Sequence, residues 1–142
     1  MKILLAVDGS KASLGAVKFV TEHADWYRQK PTVELVTVHL PVPKLPRMGV
    51  AVSKSQIEKY YQEEGEQTLA DAKRQLERAG MPYEARVLVG AIAETLVAHA
   101  AKCGCDLLCI GSKGRSELGK ALMGSTATKV LQISDVPVLL VK

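Results

Sequence analysis

Aromatic residues make up only 4% of the 142-residue chain. Surfaces that bind single-stranded nucleic acid stack bases on such rings beside clustered basic residues. Nineteen Lys and Arg against fifteen Asp and Glu leave a net charge of only +4, and the densest basic cluster is Lys113, Arg115 and Lys120. That cluster suits a local anion, and no nucleic-acid partner is expected. Cysteine is scarce as well. Cys103, Cys105 and Cys109 form an odd set, which argues against a disulfide framework. The Cys-Gly-Cys spacing is not that of a zinc knuckle, and His99 is the one histidine close to it in sequence. Cys103 and Cys105 are therefore expected in a turn and Cys109 in a buried strand, with no metal. No apolar run approaches the roughly 18 residues of a membrane span. The opening "MKILLAVDGS" has too short an apolar stretch for a secretory leader. The expectation is a soluble, cytoplasmic protein without a membrane partner.

Two phosphate-binding signatures are missing too. No G-x-G-x-x-G follows an apolar run. "GRSELGKA", residues 114–121, imitates a P-loop but has Ala121 where a Ser or Thr would ligate Mg²⁺.

What is present is enough apolar residue, 47%, for one packed domain over residues 1–142. "KILLAVD", residues 2–8, is a nearly unbroken apolar run of the kind buried on both faces of a parallel sheet. Ser10 is placed to cap a helix carrying Leu14, Val17, Val20 and Ala24 at helical spacing. Residues 33–39 read as a β-branched strand. The proline-rich stretch with Pro41, Pro43 and Pro46 reads as a loop. A long helix is expected over 55–79, stopped by Gly80, and a strand over 83–89. A short helix around Ile92, Leu96, Val97 and Ala100 and a strand over 106–110 follow. A last helix around Ala127, Val130 and Leu131 and a last strand over 136–141 close the pattern.

Strict β-α alternation predicts a doubly wound, Rossmann-like parallel sheet of five strands with helices on both faces. In strand order 3-2-1-4-5, strands 1 and 4 meet at the switch point, where such sheets bind ligands. Asp8 would then face the glycine-rich stretch "GSKGRSELGKALMGS", residues 111–125. Glycines admit close backbone approach to phosphate, and Gly124, Ser125 and Thr126 supply a helix N-terminus with free donors. On these residues alone, a loop that merely turns remains an equal alternative.

Gly111, Gly114, Gly124 and Ser125 follow the spacing G-x2-G-x9-G-[S/T]. This pattern, with "ILLAVDGS", "VTVHL" and "VPVLLVK" as first, second and last strands, resembles the nucleotide-binding universal stress proteins over the whole chain. The resemblance implies an ATP-binding stress-response protein acting as a nucleotide-responsive regulator. It implies Asp8 near the ribose, the backbone at Val38 against adenine, and Gly111, Gly114, Gly124 and Ser125 at the phosphates. Ser112 and Thr126 are their neighbours, and Lys113 brings a charge that phosphate would favour. Mg²⁺ or Mn²⁺ is implied beside ATP, with AMP and ADP as related ligands, and no dedicated metal residues or catalytic residues are expected.

Two other readings stay open. One is a slow ATP hydrolase of the adenine-nucleotide α-hydrolase-like class. Its usual Ser-Gly-Gly signature is replaced here by "VDGSKAS". The other is a dimeric scaffold that binds no nucleotide. An apolar edge strand through Val138, Leu139, Leu140 and Val141 is expected to pair two chains into a homodimer.

Overall fold

The computed structural model describes residues 1–42, 53–114 and 123–142. Strands β1 (Lys2–Ala6), β2 (Thr32–His39), β3 (Tyr83–Val89), β4 (Leu107–Gly111) and β5 (Val138–Val141) alternate with four helices. These are α1 (Lys11–Glu22), α2 (Lys54–Arg78), α3 (Ile92–Lys102) and α4 (Ser125–Ile133). The strands form one parallel sheet in the order β3-β2-β1-β4-β5. This is the doubly wound α/β architecture that the alternation predicts.

β1 takes the centre because it is apolar toward both faces. Ile3, Leu4 and Leu5 are fully buried. Ile3, Leu5 and Val7 join the core built with Val17 and Val20 of α1 and Leu69 and Leu76 of α2. Leu4 and Ala6 join the opposite core, built with Leu96 and Ala100 of α3 and Val130 of α4. Each buried Leu or Ile contributes roughly 1.5–3 kcal/mol relative to an exposed one. A strand with apolar residues on one face alone would leave the other core unfilled.

Helix starts follow local chemistry. The Ser10 hydroxyl accepts from the Ser13 N–H and caps α1. Ser53 and Gln56 form a reciprocal capping box that starts α2 at Lys54. Gly80, at φ 58°, ends that helix. Several boundaries differ from the sequence reading. β1 stops at Ala6 and β5 starts at Val138. α1 ends at Glu22, and a separate 3-10 turn, Ala24–Trp26, follows it. There Trp26 packs edge-on against Phe19 and His23, which supplies the turn with apolar contact. Pro43, Pro46, Arg115 and Lys120 lie outside the described residues. Among the described residues no helix is long and apolar enough to cross a membrane.

One ionisable group interrupts the core under α3. Glu34 of β2 is 1% exposed. Its Oε2 lies 3.1 Å from Lys2 Nζ, and its Oε1 lies 2.9 Å from His99 Nε2 and 3.4 Å from Arg86 Nε. Burial pushes this carboxyl up. Hydrogen bonds from His99, Lys2 and Arg86, with the Lys2 charge, outweigh burial and hold it below the usual carboxylate range. The β-branched reading of β2 does not anticipate this residue. Cys109 is buried in β4, as expected, and burial raises its thiol to about 12. It is inert at neutral pH.

Candidate functional site

α1 leaves the end of β1 on one face of the sheet, while α4 follows β4 on the other. A crevice opens between the two strand ends, as it does at every such switch in strand order. The cleft there holds about 630 Å³ of empty space, a figure that includes open solvent. Val36, Ile92, Leu96 and Ile110 make its apolar floor. Asp8, Lys113, Gly114, Ser125 and Thr126 stand on its polar rim.

The Asp8 carboxylate is fixed by its own turn. Its Oδ1 accepts the Ser10 N–H at 2.9 Å. The Asp8 N–H donates to Ser13 Oγ at 3.3 Å, and that hydroxyl, nearly buried, donates to the Ser10 carbonyl. Gly114 lies opposite. A Cβ added to it would come 3.2 Å from Asp8 Oδ2. The facing of Asp8 and the glycine-rich stretch, expected from strand order, is thus present at atomic contact range.

Gly111 also lines the cleft, but its lack of a side chain serves the fold. An added Cβ would lie 2.6–2.7 Å from the backbone of Ala12 and Ser13. The first turn of α1 packs directly on the end of β4, and only glycine admits it.

Val38 owes its place to strand parity. The Val36 carbonyl accepts the Val7 N–H at 2.9 Å, so Val36 turns its backbone toward β1. The His39 carbonyl accepts the Gly90 N–H and faces β3. Val38, two residues beyond Val36, aims its N–H and C=O to the β1 side. The β1–β2 register ends at Ala6 and Val36, and no backbone hydrogen bond among the described residues carries the ladder on to Val38. A donor and an acceptor therefore face the cleft side by side.

Gly124 caps α4 with an ordinary φ of −72°. Its N–H is already engaged, donating to the Ser112 carbonyl at 2.7 Å. Ser125, Thr126 and Ala127 follow on the cleft wall. First-turn N–H groups have no acceptor within their own helix and carry its positive dipole end, which favours an anion. Lys113 is exposed on the same rim and adds a full positive charge.

Ser112 is the exception among the expected site residues. It is 4% exposed and does not line the cleft. Its N–H extends the sheet by donating to the Val141 carbonyl at 2.7 Å. Its backbone thus ties β5 to the start of α4. The remaining eight, Asp8, Val38, Gly111, Lys113, Gly114, Gly124, Ser125 and Thr126, meet around one cavity. None of the three histidines lines it. His23 stacks on Phe19, His39 packs near Tyr61, and His99 bonds Glu34. The apolar floor and Ser13 escape the sequence reading. In sequence they look like ordinary core and cap residues, and only the topology brings them together.

Comparison with known proteins bears on this cleft. The family model of the universal stress proteins matches residues 1–142. A universal stress protein of Methanocaldococcus jannaschii is 32% identical over 141 residues, covering 99% of this chain and 81% of that protein. The solved structure of a second universal stress protein of that organism is 26% identical, with a TM-score of 0.78. The match covers 99% of this chain and 94% of that one. A universal stress protein solved in complex with cAMP is 25% identical, with a TM-score of 0.67. It covers 100% of this chain and 96% of that one.

Proposed function

The chain belongs to the universal stress protein family, and from that premise we propose that its cleft binds an adenine nucleotide, ATP in particular, in a homodimeric regulator. The observation that carries this reading is the facing of Asp8 and Gly114 across a cleft walled by the α4 N-terminus. Each part of a nucleotide meets matching chemistry. The base fits the apolar floor, with the Val38 N–H and C=O offered to its hydrogen-bonding edge. Asp8 accepts from ribose hydroxyls. The phosphates meet Lys113, the unencumbered backbone at Gly114 and the first turn of α4. The cAMP complex of a relative supports the adenine-nucleotide class.

Asp8 is the one carboxylate among the described lining residues. Mg²⁺ or Mn²⁺ would therefore be held mainly by the phosphates of ATP and by water, with no protein carboxylate dedicated to it. The ion would neutralise phosphate charge, while the protein orients the nucleotide.

Calorimetry with ATP, ADP, AMP, cAMP and GTP tests the proposal. The adenine nucleotides are expected to bind, ATP with a Kd of about micromolar order, equivalent to roughly −8 kcal/mol. GTP is expected to be weaker, because its base presents the reverse donor–acceptor order to Val38. No heat with any adenine nucleotide rejects the reading. Ser125→Ala is expected to weaken ATP about ten- to a hundredfold, the worth of one hydrogen bond to a charged group. Unchanged affinity in that variant removes the Ser125 hydroxyl from the phosphate site.

A further inference from the structure

At the opposite end of α3 from the cleft, a carboxylate, an imidazole and a thiol converge. His99 and Cys103 sit one helical turn apart, Cys103 being the C-terminal cap of α3. Their spacing puts both on one face. Gly104, at φ 62°, stops the helix directly behind Cys103. The third group is the buried Glu34, 65 residues from His99 in sequence. Glu34 Oε1 is 2.9 Å from His99 Nε2, and His99 Nε2 is 3.5 Å from Cys103 Sγ. The three ligand atoms lie within 4.8 Å of one another.

We propose that Glu34, His99 and Cys103 form a binding site for a divalent transition metal, Zn²⁺ being the best match. A thiolate, an imidazole and a carboxylate together suit Zn²⁺ and its analogue Co²⁺, while a sulfur donor disfavours Mg²⁺ and Ca²⁺. Zinc bonds of about 2.0–2.3 Å require tetrahedral ligand atoms to stand about 3.3–3.8 Å apart. The His99–Cys103 pair already stands at this spacing, and the Glu34–His99 pair needs to open by about half an ångström. Three protein ligands leave a fourth position for water.

The groups around the trio permit this. Lys2 holds Glu34 by Oε2, the oxygen not used for the metal, and remains as an outer partner that orients the carboxylate. Arg86 is half-exposed and reaches Oε1 only at 3.4 Å, while it also bonds Glu84 at 2.7 Å. It can leave Glu34 without losing its charge partner. The two protein anions, Glu34 carboxylate and Cys103 thiolate, balance the ion's two positive charges. Uptake releases the Cys103 thiol proton, as thiolate ligation requires, and His99 binds through Nε2 as the neutral tautomer with its proton on Nδ1. His99 also lines a shallow surface groove with Glu94, Ala98 and Lys102, which gives the ion a way in. Cys103 lies in the turn expected for it, and the proposal adds a ligand role there, where the sequence reading expects no metal.

Titration of the full, reduced, chelator-stripped chain with Co²⁺ tests the site. The expected result is one equivalent bound, with tetrahedral d–d bands and a thiolate-to-cobalt charge-transfer band, all displaced by Zn²⁺. His99→Ala and Cys103→Ser, both at partly exposed positions, are expected to stay folded by circular dichroism and to lose the charge-transfer band. Glu34→Gln is expected to weaken the ion by at least the roughly 10–100-fold that even an outer-shell loss costs. Cys105→Ser and Cys109→Ser are expected to bind like the parent. Absence of a thiolate band at one equivalent overturns the proposal. So does a band that survives Cys103→Ser or disappears in Cys105→Ser.

Discussion

Gly111→Val and Gly114→Val, three residues apart in one motif, are expected to fail in opposite ways. Gly111→Val should not fold stably. Its Cβ would lie 2.6 Å from the Ala12 carbonyl carbon and 2.7 Å from the Ser13 nitrogen. These are backbone atoms in the first turn of α1, so no side-chain rotation relieves the contact. α1 would have to lift from β4, exposing Val17 and Val20, which are fully buried in the core. Overpacking at an adaptable site costs roughly 1–3 kcal/mol. With rigid backbone on both sides, the cost here should exceed about 4 kcal/mol. That is from about a quarter to most of a total stability of about 5–15 kcal/mol.

Gly114→Val should fold. Among the described residues its Cβ meets only Asp8 Oδ2, at 3.2 Å, a contact that a shift of a few tenths of an ångström relieves. The new side chain then fills the space between Asp8 and the loop, where the nucleotide is proposed to lie. Binding should weaken by a hundredfold or more, about 2.7 kcal/mol, with the melting temperature little changed. Urea unfolding and ATP calorimetry on both variants separate the cases. A Gly114→Val variant that binds ATP like the parent would falsify the cleft as the nucleotide site. A Gly111→Ala variant as stable as the parent would show that α1 does not press on β4.

The same pair shows how far the sequence can be read. Motif spacing brings Gly111 and Gly114 to notice together, but their separate duties depend on α1, which is distant in pattern though near in space. The parallel, doubly wound sheet was legible because strict β-α alternation goes with continuous apolar runs such as residues 2–8. Strand ends were less so. β1 ends at Ala6 because the Asp8 turn, closed by Ser10 and Ser13, already redirects the chain. Ser112 looks like a loop hydroxyl until β5 is placed beside β4 and claims its N–H. The Glu34, His99 and Cys103 cluster joins β2 to α3, 65 residues apart in sequence. Local periodicity carries no information on that contact. Glu34 within "TVELVTVH" gives the one available signal, an acid at a position where a buried strand should carry an aliphatic residue.

Leu140→Pro is expected to convert a homodimer into a monomer while leaving the fold intact. β5 is the last strand in the sheet order, with β4 on one side only. The Pro137 carbonyl accepts the Leu108 N–H at 2.9 Å, and the Val141 carbonyl accepts the Ser112 N–H at 2.7 Å. Residues 137 and 141 thus turn their backbones toward β4, and by alternation residue 139 does too. Val138 and Leu140 must turn theirs outward, to the unpaired edge. An edge of this kind invites a second strand. Antiparallel pairing of two β5 strands across a two-fold axis would satisfy these groups and create an isologous interface. The side chains favour the same arrangement. Leu139 and Val141 pack toward α1, Val138 and Leu140 toward the α3–α4 core, and all four are only half-buried. A second copy would complete the burial on both faces. Proline at residue 140 deletes an outward N–H without touching the β4 ladder, and its φ suits an edge strand. Leu139→Asp acts through the side chain instead, placing a charge in the same interface. Sedimentation of the parent should give a dimer at micromolar concentration. Both variants should sediment as monomers of 15.3 kDa with native circular dichroism. A parent chain that is itself monomeric at that concentration rejects β5 pairing, and a Leu140→Pro variant that remains dimeric places the interface elsewhere.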